Sequence, residues 1–261
     1  MPAENPAHTT RRAFAALSAA TALAAAWPAL AQSPRSFAVV SELAREVSVV
    51  TYQPAVGSIL NNNAVSRIPM PQGMLDKFVL NHTRAVLAKE APGSRVFLVS
   101  PLDADLFGNM QTVIEGRKLE IPADVAEAFK SQGSTHLLLF SRHRSEAALR
   151  FKDGRGGTGS LEGLGFYIDR TVTVTSDADR QSGRGFIAPY LHARITLVDL
   201  ATGRVQRTVE VRESSTFANV RADAKSMDVW DALSPNDKVR ALLELLDQEI
   251  GKNLKTLLAP A

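Results

Sequence analysis

The stretch Ala188–Ser214 reads APYLHARITLVDLATGRVQRTVEVRES, two long extended runs joined by Asp199-Leu200-Ala201-Thr202-Gly203. Gly203 suits the left-handed position of a tight hairpin turn, where a residue without a Cβ meets no steric cost. Along the runs Ile195, Leu197, Val205, Val209 and Val211 partly alternate with Arg194, Thr196, Arg207, Glu210 and Arg212. A period of two with one apolar face is the pattern of an antiparallel strand buried on one side. A third extended run, Gly165–Thr175, precedes them, so this half of the chain is expected to be antiparallel sheet.

Working outward, Ser234-Pro235-Asn236-Asp237 supplies an N-cap, a proline at the first helical position and a carboxylate near the positive helix end. The apolar stripe Val239, Leu242, Leu243, Leu246, Ile250, Leu254 and Leu257 carries that helix to about Leu258, with Gly251 as its weak point. Towards the amino terminus, Met74, Leu75, Phe78, Val79, His82, Val86 and Leu87 recur at helical spacing and stop at Ala91-Pro92-Gly93. Arg95–Ser100 reads as a strand, Pro122–Lys130 as a helix ending near Gly133, and His136–Ser141 as a strand apolar on both faces. Helix, strand, helix, strand in that order layers helices on part of a sheet, so the fold class is mixed α/β (α+β). Phe37–Val40 and Val47–Tyr52 read as a hairpin, and Gln53–Gly73, with Pro54, Gly57, Asn61–Asn63, Pro69 and Pro71, as a long loop of the kind that carries function.

Arg11 and Arg12 stand directly before Ala13–Trp27, an almost entirely apolar run of 15 residues. That is too short for a hydrocarbon core that needs about 20 residues. Pro28 breaks the run, and Ala29-Leu30-Ala31 places small residues at the two positions a signal peptidase reads. Residues 1–31 are therefore expected to be a cleaved signal peptide and 32–261 a single α/β domain, exported to the periplasm. Thr10-Arg11-Arg12-Ala13-Phe14 resembles the twin-arginine signal family, although Ala15 and Ala16 replace its usual Leu and Lys. A general secretory signal stays open beside it.

The chain contains no cysteine, which excludes a disulfide framework, a thiolate nucleophile or metal site, and a lipid anchor. No second apolar run approaches membrane-spanning length, so the exported chain is expected to be soluble, without a transmembrane anchor. Formal charge is +3, and +2 without residues 1–31, which hold Arg11, Arg12 and Glu4. A surface so nearly balanced gives no reason to expect a nucleic-acid partner.

Ser141-Arg142-His143-Arg144 puts cations at the end of a buried strand, where α/β sheets bind ligands. Arg142, His143 and Arg144, with Arg155 from the Gly-rich stretch Asp153–Ser160, are the candidate ligand-binding residues. The alternative is a solvated strand end with arginine stems over apolar surface. The Gly-rich stretch lacks the following helix and lysine of a phosphate loop and reads as a surface hairpin loop, or as a loop covering a ligand. His82, His136, His143 and His192 have no metal-motif spacing, His82 reads as a core residue, and no nucleophile elbow occurs, so neither a catalytic residue, a metal nor a cofactor is assigned.

Ile195–Val205, an apolar strand ending in Asp199, a Thr202-Gly203 turn and a returning strand, resembles envelope proteins of the curli-secretion and TolB amino-terminal type over residues 95–258. It departs from them in lacking the lipid-carrying cysteine. The resemblance implies a mixed α/β fold and an assembly or partner-binding role. The expectation is a non-catalytic periplasmic protein that binds an envelope protein or itself, through the Pro54–Gly73 loop or by strand addition to an exposed edge. A periplasmic small-ligand binder or hydrolase with an anion pocket at 142–165 is the alternative.

Overall fold

The structure, a computed structural model, describes residues 35–54, 62–70, 73–99, 117–175, 182–218 and 228–259. The expected signal-peptide residues Arg11, Arg12, Phe14, Ala29 and Ala31 lie outside the described residues, as do 55–61, 71 and 72 of the expected loop. In chain order the strands are β1 Ser36–Ser41, β2 Glu46–Thr51 and β3 Ala64–Pro69, then helix α1 Met74–Glu90 and strand β4 Arg95–Val99. Helix α2 Ala123–Ser131 precedes β5 His136–Arg142, β6 Arg144–Glu146, β7 Leu149–Phe151 and β8 Gly154–Gly156. The long strands β9 Ser160–Thr175, β10 Ser182–Asp199 and β11 Val205–Ser214 follow, then the short β12 Phe217–Ala218, a 3-10 turn Val229–Ala232 and helix α3 Pro235–Leu258. Mixed parallel and antiparallel pairing with helices against the sheet is the expected fold class.

Where a hairpin was expected, β1 and β2 do not pair with each other. β1 lies parallel to β4 and β5, whereas β2 lies antiparallel to β3 and parallel to β9. Since β5 and β9 both run antiparallel to β10, the chain continues in one direction from β1 into β2. The joint between them is held by Asp76 of α1. Its Oδ1 accepts hydrogen bonds from Ser41 Oγ at 2.5 Å and from the amides of Leu43 and Ala44 at 3.1 Å each. Two consecutive amides turned to one buried carboxylate bend the chain without reversing it, and they bury Leu43 and Ala44. Alternating β-branched runs specify strands but not which strand each one pairs with.

β10 is the spine of the sheet, and every residue from Gly185 to Val198 is buried. One of its edges pairs first with β9 and then, from Ala193 to Asp199, with β5. The other edge takes β12 and β11. The expected hairpin at Asp199–Gly203 joins β10 to β11, with Gly203 at φ 69°. Ser234 caps α3 as its sequence indicates, accepting from the amide of Asp237.

One face of the sheet is covered by α1 and α3, which bury Phe37, Val39, Leu138, Phe140, Ile195 and Leu197 among others. The opposite face is divided. α2 covers Ala38, Val40, Leu137, Leu139 and Val198, while the β7–β8 hairpin covers Val50, Tyr167, Phe186, Ala188 and Tyr190. His82, read as a core residue, is half-buried between α1 and α3, stacked on Phe78 and 3.1 Å from Asp247. The expected loop Gln53–Gly73 contains β3, all six residues of which are exposed. Among the described residues, no helix is long and apolar enough to cross a membrane.

Burial pushes the Asp76 carboxyl above the usual range, against the pull of Ser41 and the Ala44 and Leu43 amides. A raised acid contributes stability that is present below its unfolded value of about 3.9 and lost as pH rises through its folded value. Asp76→Ala, which leaves three donors without their acceptor, should cost about 2–4 kcal/mol in urea unfolding at neutral pH, and Asp76→Asn, which keeps an acceptor, about 1 kcal/mol or less. In Asp76→Asn the loss of stability with rising pH should flatten.

Candidate functional site

Arg142, His143 and Arg144 do stand together at the end of β5, but strand alternation sends them to two faces. Arg142 donates to Glu46 Oε1 at 2.7 Å, and Arg67 reaches the same oxygen at 3.3 Å. Arg144 donates through Nε and a terminal nitrogen to Ser160 Oγ, at 3.3 and 3.1 Å. These side chains border a polar cleft of about 180 Å³ whose lining includes Arg67, Arg142, Arg144, Ser160, Glu162 and Tyr190. Tyr190 is fully buried, and burial raises its hydroxyl pKa. Its ring passes over Gly165, where an added Cβ would lie 2.6 Å from the phenolic oxygen and 2.2 Å from the Ser48 carbonyl. Only glycine admits that approach.

His143 faces away, into a polar band across the middle of β10. Arg194, 5% exposed, donates to His143 Nδ1 at 3.0 Å and to Glu210 Oε1 at 3.0 Å. Arg212 donates to Glu210 Oε2 at 2.6 Å, and His143 Nε2 lies 3.2 Å from that same oxygen. Burial holds His143 below the usual imidazole value against the attraction of Glu210, so it is neutral near pH 7. For Glu210 burial acts upward, but the bonds from Arg212 and Arg194 prevail and keep it below the usual carboxylate value. Arg155 is part of neither arrangement with Arg142. It reaches Glu213 at 3.3 Å and the carbonyls of Arg212 and Ala148.

The same band holds Ser145 Oγ 2.7 Å from His192 Nδ1. His192 is 2% exposed and is pushed down to about 4, chiefly by burial and then by His143 and Arg212. The Ser145 hydroxyl is thus hydrogen-bonded to a buried imidazole of weakened basicity. Among the described residues no cluster of three or more His, Cys, Asp or Glu is placed to hold a metal ion. Arg67, Glu46 and Arg194 were absent from the sequence candidates because each meets its partners through strand pairing, which leaves no local signature.

No family model matches the chain, and no curated protein matches it in sequence. Among solved structures it is similar to the PelC dodecamer protein of Paraburkholderia phytofirmans, at 14% identity over 87% of this chain and 89% of that one, with a TM-score of 0.32. It is also similar to a Helicobacter pylori homologue of a neuraminyllactose-binding hemagglutinin, at 12% identity over 87% and 84%, TM-score 0.38. A Xanthomonas campestris protein of the DUF330 family model is 11% identical over 85% and 86%, TM-score 0.36.

A histidine lowered on folding contributes stability that is complete above its unfolded value of about 6.5 and lost as pH falls towards its folded value. His192 should therefore cost on the order of 3 kcal/mol between about pH 6.5 and pH 4. Urea unfolding of the His192→Gln variant should show a much shallower acid limb than the parent, and an unchanged limb would remove His192 as its cause.

Proposed function

We propose that this is an exported, non-catalytic protein of the cell envelope that binds an extended segment of a protein partner along the open edge of β3. The observation that carries the reading is the state of that edge. β3 ends the strand order of the sheet, its six residues are all exposed, and Val65 and Ile68 are 56% and 39% exposed. The amide of Met70 bonds the carbonyl of Arg45, so alternation along the β2–β3 ladder turns the amides of Val65 and Arg67 outward. Pro69, with no N–H, ends the row. An added strand would pair over this short stretch, with its side chains beside the cleft that Val65, Arg67, Arg142 and Arg144 line.

Export rests on the sequence pattern of Arg11, Arg12, the short apolar run and Ala29-Leu30-Ala31. The resemblance of Ile195–Val205 to curli-secretion and TolB amino-terminal proteins points towards the same partner-binding role. An anion pocket at Arg142 and Arg144 is the weaker reading, because Glu46 already bridges Arg67 and Arg142, and Glu162 stands opposite Arg144 across β6 and β9.

A photo-crosslinking residue at Val65 or Ile68 in living cells should give a discrete adduct with another envelope protein, and one at Val239, exposed on α3, should give none. Val65→Pro, which removes an outward donor while sparing the bonds to β2, should abolish the Ile68 adduct. Adducts solely between copies of this chain would replace the envelope partner with self-association at the same edge, and equal labelling at Val239 would overturn the assignment.

A further inference from the structure

Apart from the arginine cleft, a second cavity of about 390 Å³ opens beside the β7–β8 hairpin, within the range of small-ligand sites. Four aromatic rings line it: Tyr52, Phe151, Tyr167 and Phe186. Tyr167 and Phe186 stack with centroids 6.0 Å apart, and Phe151 meets Phe186 edge-on at 5.1 Å and 87°, so two walls stand at a right angle. The rings are fixed in place. The amide of Thr158 donates to the Tyr167 hydroxyl at 3.3 Å, and Phe186 pairs with Asp169 across β10 and β9. The Gly-rich stretch thus contributes Gly157 and Thr158 to a cavity wall.

The charge at this cavity has one sign. Asp169, buried and lining it, accepts at Oδ1 from the amide and hydroxyl of Thr171 at 2.7 Å each and from the amide of Val172 at 3.4 Å. Those bonds hold the carboxylate still, and its Oδ2 makes no hydrogen bond to another described residue. Among the described residues no lysine, arginine or histidine lines the cavity. Arg170, between Asp169 and Thr171 on the strand, is instead engaged with Asp228 at 2.9 and 3.0 Å.

Aromatic faces carry negative potential, so rings around a single fixed carboxylate attract a desolvated cation and repel an anion. One carboxylate is too few oxygens for a bare metal ion, which takes six or more ligands when it is calcium. We propose that this cavity is a binding site for an organic cation of the methylated ammonium type, with Tyr52, Phe151, Tyr167 and Phe186 as the aromatic walls and Asp169 as the counter-charge. The site is independent of the β3 edge.

Choline chloride and its neutral isostere 3,3-dimethylbutan-1-ol, titrated separately into the protein by calorimetry, test this directly. Choline should bind saturably with one site per chain, and the isostere, equal in shape but uncharged, at least about tenfold more weakly. Asp169→Asn, which keeps an acceptor for Thr171, should lower choline affinity at least about tenfold and leave the isostere unchanged, and Phe151→Leu should weaken choline. Equal affinity for the two probes, or no saturable choline binding, would overturn the proposal in the native protein, whether or not the variants fold.

Discussion

The carboxylate of Asp76 decides how the amino-terminal strands are used. By drawing the hydroxyl of Ser41 and the amides of Leu43 and Ala44 to one oxygen, it carries the chain from β1 into β2 without reversal. β1 then fills the place between β4 and β5, and β2 the place between β3 and β9, so one bent segment serves both ends of the sheet. If the chain turned back at that joint, β2 could not reach β9, and β3 would have no strand to stand on. The open edge assigned to partner binding therefore depends on a helix residue that lies outside the strand itself.

The second constraint is the length of β10. A strand with 14 consecutive buried residues needs cover on both faces, and the face towards α1 and α3 is uniformly apolar. The other face is apolar only at its ends, under α2 and under the β7–β8 hairpin. Between those ends His192, Arg194 and Thr196 are buried, and the band of His143, Glu210, Arg212 and Ser145 supplies partners for the histidine and the arginine. Buried charge is tolerated only when paired and hydrogen-bonded, which is how Glu210 serves Arg194 here. This division separates His143 from Arg142 and Arg144 and makes the strand end two environments.

Much of this was legible in the sequence where the signal is local. The β10–β11 hairpin followed from Thr202-Gly203 between two alternating runs, and α3 from Ser234-Pro235 and its leucine stripe, because caps, turns and periods are properties of neighbouring residues. Pairing is not. Nothing in Phe37–Tyr52 distinguishes a hairpin from two collinear strands, since the difference lies in Asp76, more than 30 positions from Leu43 and Ala44. β3 was hidden among prolines and asparagines, and its Arg67 was missed with it. The aromatic cavity was equally invisible, as Tyr52, Phe151, Tyr167 and Phe186 come from four separate strands or strand ends. The Gly-rich stretch leads into β9, and its Gly157 and Thr158 help to wall that cavity.

The most direct measurement of the central claim is native-state hydrogen exchange at the amides of Leu43 and Ala44. Neither residue belongs to a strand, so ladder pairing cannot protect them, and the acceptor of both amides is Asp76. The account predicts exchange slowed by on the order of 1,000-fold or more relative to an unstructured chain, comparable to neighbouring strand amides. Exchange at the rate of an exposed loop would mean that the joint is not clamped, and the continuous β1–β2 path would lose its physical cause.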